Sequence, residues 1–493
     1  MNGTPTEASE ARAGGGFGGR IASDSFVYGL GGMANQAVAI LLVPIYANVL
    51  GRPGVGITGV LNSIISLSLM LVGLALPQAF FRWYLREARD HADRAHILGA
   101  TLAIRIAASL AGFALVLLAA VPLTAVLYDG ANLAVFALAA PIVLFDSFNG
   151  IPLSLLRAER RPRDYVVISL TRAVTGTVLI LTLVVALDFG VVGVSLGSAI
   201  AAALSAAIGA WVLWRSAMWR PIVDRDLSRE LLRFAIPLVP AAVAGWALNL
   251  GDRPLLQAIT GSTDVVGVYT LGYTGGLVIN ALAIQPFSLS WSAVVWDISR
   301  SEDASRTIAR VLTWFLAIAS AAALVLCGLG TDVIRLLFSR DFEESRFIVP
   351  FSAFGFVLYG AYLIVASGLS MVGRSRIVAT TMLVAAGVAL AMNLILIPML
   401  GMYGAAISTV TGYGLLAILA GWQSQRHYPV PWQLGRVVGV LGLAAALSAV
   451  ALLGPDHALW RIGAILLYPP ILVGAGIVRP TQARQLISAL RRR

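Results

Sequence analysis

Apolar residues run along this chain in unbroken stretches of twenty or more, separated by short polar turns, and not in the alternation of half-buried strands. A bilayer core of about 30 Å takes roughly 20 apolar residues per helix. Fourteen segments meet that demand: 26–49, 57–81, 97–120, 132–156, 165–187, 191–214, 231–259, 265–288, 307–329, 347–370, 377–399, 403–422, 436–454 and 460–478. The expected fold is therefore an all-α polytopic membrane protein with fourteen transmembrane helices. Residues 1–23 begin MNGTPTEASEARAGGGFGGR, polar and Gly-rich with no apolar signal-peptide core, and are expected to form a disordered tail that is not cleaved.

Composition agrees with the pattern. Of 493 residues 58% are hydrophobic and 12% charged, against about 25% charged in a soluble domain, which excludes a water-soluble enzyme. The single cysteine, Cys327, excludes an internal disulfide and a cysteine metal cluster. All 35 basic residues are arginine, and the net charge is +11. Assigned to alternate loops, 27 arginines fall on the side that holds both termini, six on the other, and two, Arg105 and Arg172, inside helices. Because bases near helix ends stay in the cytoplasm, both termini are expected there, and the positive charge reads as topology, with no nucleic-acid partner. Two amphipathic pieces, 223–234 and 481–493, suit helices lying on an anionic leaflet.

The chain also repeats itself. At an offset of 211 residues, Gly56 falls on Gly267, Gly190-Val-Val-Gly193 on Gly401-Met-Tyr-Gly404, and Trp211 on Trp422; 165–215 against 376–426 gives ten identities in 51 positions. The repeat unit is six helices, and an even number returns the chain to the same side, so the halves are two parallel six-helix lobes about a central cavity. The expected organisation is a first lobe (24–215), an interfacial linker (216–230), a second lobe (231–425), two extra helices (426–480) and a basic amphipathic tail (481–493). Prolines 44, 77, 141, 152, 237, 240, 286 and 398 are candidate bending points or ordinary transmembrane prolines.

Catalytic and metal motifs are missing from the pattern. There is no GxxxxGK[ST] loop, every outer loop is expected to be short, the longest spanning about 330–346, and the four histidines, expected in loops, have no metal-binding spacing. The chemistry that remains is charge at membrane depth, which is costly and therefore a functional candidate. Arg105 and Arg172 lie about 12 Å and 10 Å into their helices at 1.5 Å per residue, where each either snorkels or faces a cavity and binds an anion. Asp146 either pairs with one of these arginines or carries a coupling proton or sodium ion. Asp252, a candidate for coupling or for an ion pair, stands beside Arg253, which either contacts an anion in the cavity like Arg105 and Arg172 or, being close to the outer end of its helix, snorkels. Asn35, Asn62, Asn149 and Asn249 are polar cavity candidates, or interhelical hydrogen bonds.

The opening YGLGGMANQAVAILLVPIYANVLGRPGVGITGVLNSIISLSLMLVGLALPQAFFRWYL, with LLRAERRPRDY and NLGDRPLLQAITGSTDVVGVYTLGY, resembles Wzx-type polysaccharide or oligosaccharide flippases over about 400 residues. The resemblance implies the multidrug/oligosaccharidyl-lipid/polysaccharide exporter fold and a cationic cavity. It implies, as substrate, a polyprenyl-(pyro)phosphate-linked oligosaccharide moved from the inner to the outer leaflet of the bacterial cytoplasmic membrane for cell-surface polysaccharide synthesis. No cofactor beyond proton or sodium coupling is implied. Partners would be membrane lipid and a glycan polymerase or glycosyltransferases. With no lysine in the chain, cationic contacts must come from arginine, whose planar fork gives bidentate phosphate contacts. A cation-coupled drug or metabolite exporter and a lipid II flippase of the same superfamily are the alternatives, with a membrane glycosyltransferase further behind.

Overall fold

The computed structural model describes residues 42–216, 221–455 and 457–477; most of the first expected segment, with Asn35, and the basic tail 481–493 lie outside the described residues. Among the described residues the chain is helical, and twelve helices are long and apolar enough to cross a membrane. They are α1 (Leu42–Glu87), α2 (His91–Tyr128), α3 (Leu133–Ala158), α4 (Pro162–Ala186), α5 (Gly190–Arg215), α6 (Arg225–Asn249), α8 (Thr263–Ser292), α9 (Ala304–Leu337), α10 (Val349–Met371), α11 (Arg376–Leu400), α12 (Met402–His427) and α13 (Leu434–Leu453). Two shorter helices complete the set, α7 (Asp252–Thr260) and the apolar α14 (Ala458–Gly474).

These positions follow the expected segments, and the departures have local causes. As a straight rod the 46 residues of α1 would run about 69 Å, twice a bilayer. Gly51 at φ +66 turns the chain instead, a conformation that costs glycine little. A second break follows at Leu74 and Ala75, both left-handed, before Pro77 restarts the helix. The expected helix 231–259 is likewise two pieces. Pro254 has no amide to donate to Leu250 four residues back, so α6 ends at Asn249. Leu250 and Gly251 both donate to Trp246 O, and α7 begins at Asp252. Ser63 Oγ donates to the released Leu250 carbonyl at 2.7 Å. The expected outer loop 330–346 is also more ordered than its polarity suggests: α9 continues to Leu337, and a 3-10 turn, Arg340–Phe347, brings Glu343 to Arg335 and Arg346. The amphipathic piece at 223–234 forms the first part of α6, capped by the Asp224 carboxylate on the Asp226 and Leu227 amides. His96 also bonds Asp224 at 2.8 Å, and that bond, ahead of the two amides, holds the Asp224 carboxyl below its ordinary range.

Two compact units share the chain, one holding 65–239 and the other 44–64 with 240–477. The first unit's core gathers Leu76, Phe80, Leu98, Leu102, Ile151 and Leu213. Residues 44–64 belong to the second unit, unlike the expected division at 215 and 231, and the glycine contacts explain why. A Cβ on Gly56 would lie 2.1 Å from Thr263 O, and one on Gly267 would lie 2.0 Å from Arg52 O. Arg52 and Thr263 are themselves one repeat apart, so each contact is the image of the other about a local two-fold. Gly59 and Thr270, also one repeat apart, touch each other as residues near such an axis must.

The repeat is visible elsewhere in matched geometry. Gly190 and Gly401 both turn the chain with positive φ, +53 and +58, between successive helices. Arg215 lies 4.4 Å over the Trp211 ring, and Arg426 lies 3.7 Å over Trp422. Gly267→Ala must force a backbone contact apart, and overpacking of this kind costs about 1–3 kcal/mol. Thermal unfolding in detergent should therefore show a clear loss for Gly267→Ala and none for Gly442→Ala, where a Cβ meets nothing within 4 Å. Equal midpoints would remove the glycine contact as the reason for this packing.

Candidate functional site

In the first unit, α3 and α4 bring Asp146 and Arg172 together. Arg172 Nε meets Asp146 Oδ1 at 2.9 Å and Nη2 meets Oδ2 at 3.0 Å, a bidentate pair whose side chains keep 27% and 21% of their exposure. Of the two partners open to Asp146 in the sequence, the structure selects Arg172. The guanidinium is thus oriented by its carboxylate, with Nη1 on the side of Gly176.

Arg105 stands on α2 in a different state. Only 2% exposed, it does not snorkel, and its Nη1 faces two neutral acceptors, Val72 O at 3.4 Å and Ser147 Oγ at 3.2 Å. Nε has no hydrogen-bond partner, and among the described residues Arg105 forms no ion pair. Its position follows from the break in α1: the turn at Leu74 and Ala75 leaves Val72 O exposed, and a guanidinium is a strong donor for the last carbonyls of a helix. Ser109 Oγ, 3.0 Å from Ser147 Oγ, completes this small polar cluster. Asn149 lies one turn away in sequence but serves packing, its amide donating to Ser205 Oγ at 3.0 Å while Ser205 bonds Ile168 O. Asn62 is exposed and takes no part in these clusters.

The second unit holds a closed cluster where α6 breaks. Asp252 and Arg253 are 1% and 3% exposed and pair at 3.0 Å. Asp252 Oδ2 accepts from the Tyr269 hydroxyl and from Thr409 Oγ1 at 3.2 Å. Arg253 Nη1 donates to Asn249 O at 3.0 Å, and its guanidinium lies 4.3 Å over the Tyr273 ring. The Tyr273 hydroxyl donates to Asn249 Oδ1 at 2.7 Å. Of the two readings of Arg253 the geometry does not fit snorkelling, because the side chain is buried, and it leaves little charge for an anion, because Asp252 pairs with it and the Tyr273 ring lies against it. Tyr269, Tyr273 and Thr409 were missed in the sequence, although two tyrosines four apart on one helix carry a signal. Also missed was the pair of Arg461 on α14 with Asp332 on α9, 2.6 Å apart. Along α8 and α9 runs an apolar trough of about 870 Å³ lined by residues such as Leu282, Phe287, Trp314 and Leu326, without an ionisable side chain.

The Asp252 and Arg105 clusters thus treat charge differently. Asp252 has three donors and no spare demand, whereas Arg105 carries charge among neutral acceptors. Removing one member of a buried pair costs about 3–5 kcal/mol, and removing both costs much less. Arg253→Met should accordingly destabilise the protein strongly in chemical denaturation in mixed micelles, and adding Asp252→Asn should recover much of the loss. Additive losses would contradict a self-neutralising pair.

The polysaccharide biosynthesis protein family matches residues 21–291, more than half of the chain. An uncharacterized membrane protein of Methanocaldococcus jannaschii is 24% identical over 232 residues, and this match spans 45% of each chain, less than half the length of that relative. Among solved structures, the lipid II flippase MurJ in an inward closed conformation aligns with TM-score 0.71 and 14% identity over 94% of this chain and all of its own. An inward-facing multidrug resistance transporter of the MATE family and MOP superfamily aligns at 0.64 and 15% identity, covering 83% of this chain and 95% of its own. A MOP superfamily transporter from Pyrococcus furiosus aligns at 0.55 and 14% identity, covering 85% and 96%. These likenesses establish the shared helical fold, and the match over residues 21–291 settles kinship: the chain belongs to the polysaccharide biosynthesis protein family.

Proposed function

We propose that this protein translocates a polyprenyl-(pyro)phosphate-linked oligosaccharide from the inner to the outer leaflet of the bacterial cytoplasmic membrane by alternating access, with both termini in the cytoplasm. The observation that carries the reading is Arg105, a buried cation with only neutral partners. Keeping such a charge in hydrocarbon is expensive, and an arriving phosphate would supply the missing counter-charge. Arg172, held in the same unit by Asp146, adds a second guanidinium that a phosphate can reach by displacing the carboxylate. The apolar trough along α8 and α9 supports room for a prenyl chain, which has no need of a polar path. A lipid II flippase is the second reading, favoured by the alignment with all of MurJ; the saturated Asp252 argues against a drug exporter coupled through that carboxylate.

Each charge-assisted contact to phosphate contributes about 1.5–3 kcal/mol, so Arg172→Ala should slow flipping of lipid-linked oligosaccharide in vesicles by about tenfold or more. Arg172→Lys should restore it only in part, because a point charge loses the bidentate fork. Near-normal flipping by Arg172→Ala and Arg105→Ala at equal protein level would end the anion-site reading, and a preference for lipid II would select the second one. For orientation, reporters fused after Gly130 and after Arg161 should fall on opposite sides of the membrane, with the second cytoplasmic; a shared side would overturn the topology.

A further inference from the structure

The arginine-rich end of the first unit carries a pocket that neither the Arg105 cluster nor the Arg172 pair uses. It measures about 620 Å³ and is lined by Phe81, Arg82, Leu85, Arg86, Glu87 and Phe234, within the range of about 300–1,000 Å³ that small-molecule sites occupy. Its walls come from the widened last turn of α1 (83–87) and from the amphipathic start of α6. The second wall is fixed from below, where Leu231 and Ala235 pack on Ala79 and Ala100.

The two arginines are prepared differently. The Arg82 guanidinium carbon lies 5.1 Å from the ring centroids of both Trp83 and Phe234, which places the group beside two aromatic faces. Its contact with Glu87 is long, 3.9 Å, and both side chains are half exposed, which makes it a weak competitor. Arg86 is exposed and forms no hydrogen bond or ion pair among the described residues. Behind the Phe81 wall, Arg157 lies 5.3 Å over that ring and adds a third positive charge. One guanidinium beside aromatic rings, one free guanidinium, an exposed leucine and two phenylalanine faces make a site for a group with adjacent phosphates at one end and an apolar stem at the other.

We propose that this pocket binds the diphosphate of a membrane-borne polyprenyl lipid, with Arg82 and Arg86 on the phosphates and Leu85 and Phe234 against the first isoprene unit. It is a loading site, distinct from the Arg105 and Arg172 clusters. The proposal rests on the flippase reading for its lipid, but binding can be measured without transport.

The test uses the full chain in phosphatidylcholine nanodiscs with radiolabelled geranylgeranyl diphosphate as probe. Arg82→Ala with Arg86→Ala should weaken binding about tenfold or more, the scale of one or two lost charge-assisted contacts. Arg82→Lys with Arg86→Lys should fall between, and Arg306→Ala, in the other unit, should leave affinity unchanged. Unaltered affinity in the double alanine variant overturns the site. Competition by inorganic pyrophosphate as effective as by the unlabelled lipid would assign the pocket to a free diphosphate, and equal competition by phosphatidylglycerol would assign it to any anionic headgroup; either overturns the proposal. Loss of binding in the double alanine variant, in a protein that flips no lipid-linked oligosaccharide, would keep the site and remove the flippase reading. Unaltered binding in a protein that does flip would do the reverse.

Discussion

Hydrocarbon offers no water to a polar group, so every carbonyl released by a helix break and every charge at membrane depth must find its partner inside the protein. Much of this structure follows from that constraint. The turn at Leu74 and Ala75 exposes Val72 O, and Arg105 reaches it from α2. The break at Pro254 releases Leu250 O, and Ser63 reaches it from α1, while the Trp246 indole donates to Ser63 O in return. Helix breaks thereby become points where helices are tied together, because the freed group can be satisfied only by a neighbour.

The constraint is met fully at the Asp252 carboxylate and incompletely at the Arg105 guanidinium. Around Asp252 the carboxylate has Arg253, Tyr269 and Thr409, and the guanidinium has a carbonyl and an aromatic face besides. Such a closed network fixes local geometry and gives a ligand little to gain. Around Arg105 the acceptors are a carbonyl and a hydroxyl, with Nε left over. Unspent positive charge in a water-poor setting is what an anionic headgroup can stabilise by arriving, so the functional proposal attaches to the Arg105 cluster.

The repeat has a mechanical consequence as well. Gly56 and Gly267 allow residues 44–64 and α8 to approach backbone to backbone in two equivalent contacts. Larger residues at either position would separate the helices and remove both. The segment is thereby held by the second unit even though the residues that follow it, 65–239, belong to the first.

Much of the architecture was legible in the sequence because the bilayer imposes a length on each apolar run, and length can be counted. The 211-residue repeat was legible for a related reason: turn glycines such as Gly190 and Gly401 and tryptophan–arginine pairs such as Trp211 with Arg215 are local features that survive at fixed spacing. Sequence also singled out Arg105, Arg172, Asp146, Asp252 and Arg253, since charge inside an apolar run is conspicuous. It could not decide their partners. Asp146 had two arginines within reach, and the rotation of α3 against α4 chose Arg172; Arg253 was near enough to the helix end to snorkel, and the placement of Tyr273 and Asp252 kept it buried. Apolar length is a property of each segment alone, whereas pairing depends on how helices far apart in sequence are turned toward one another, and only the tertiary structure sets that angle.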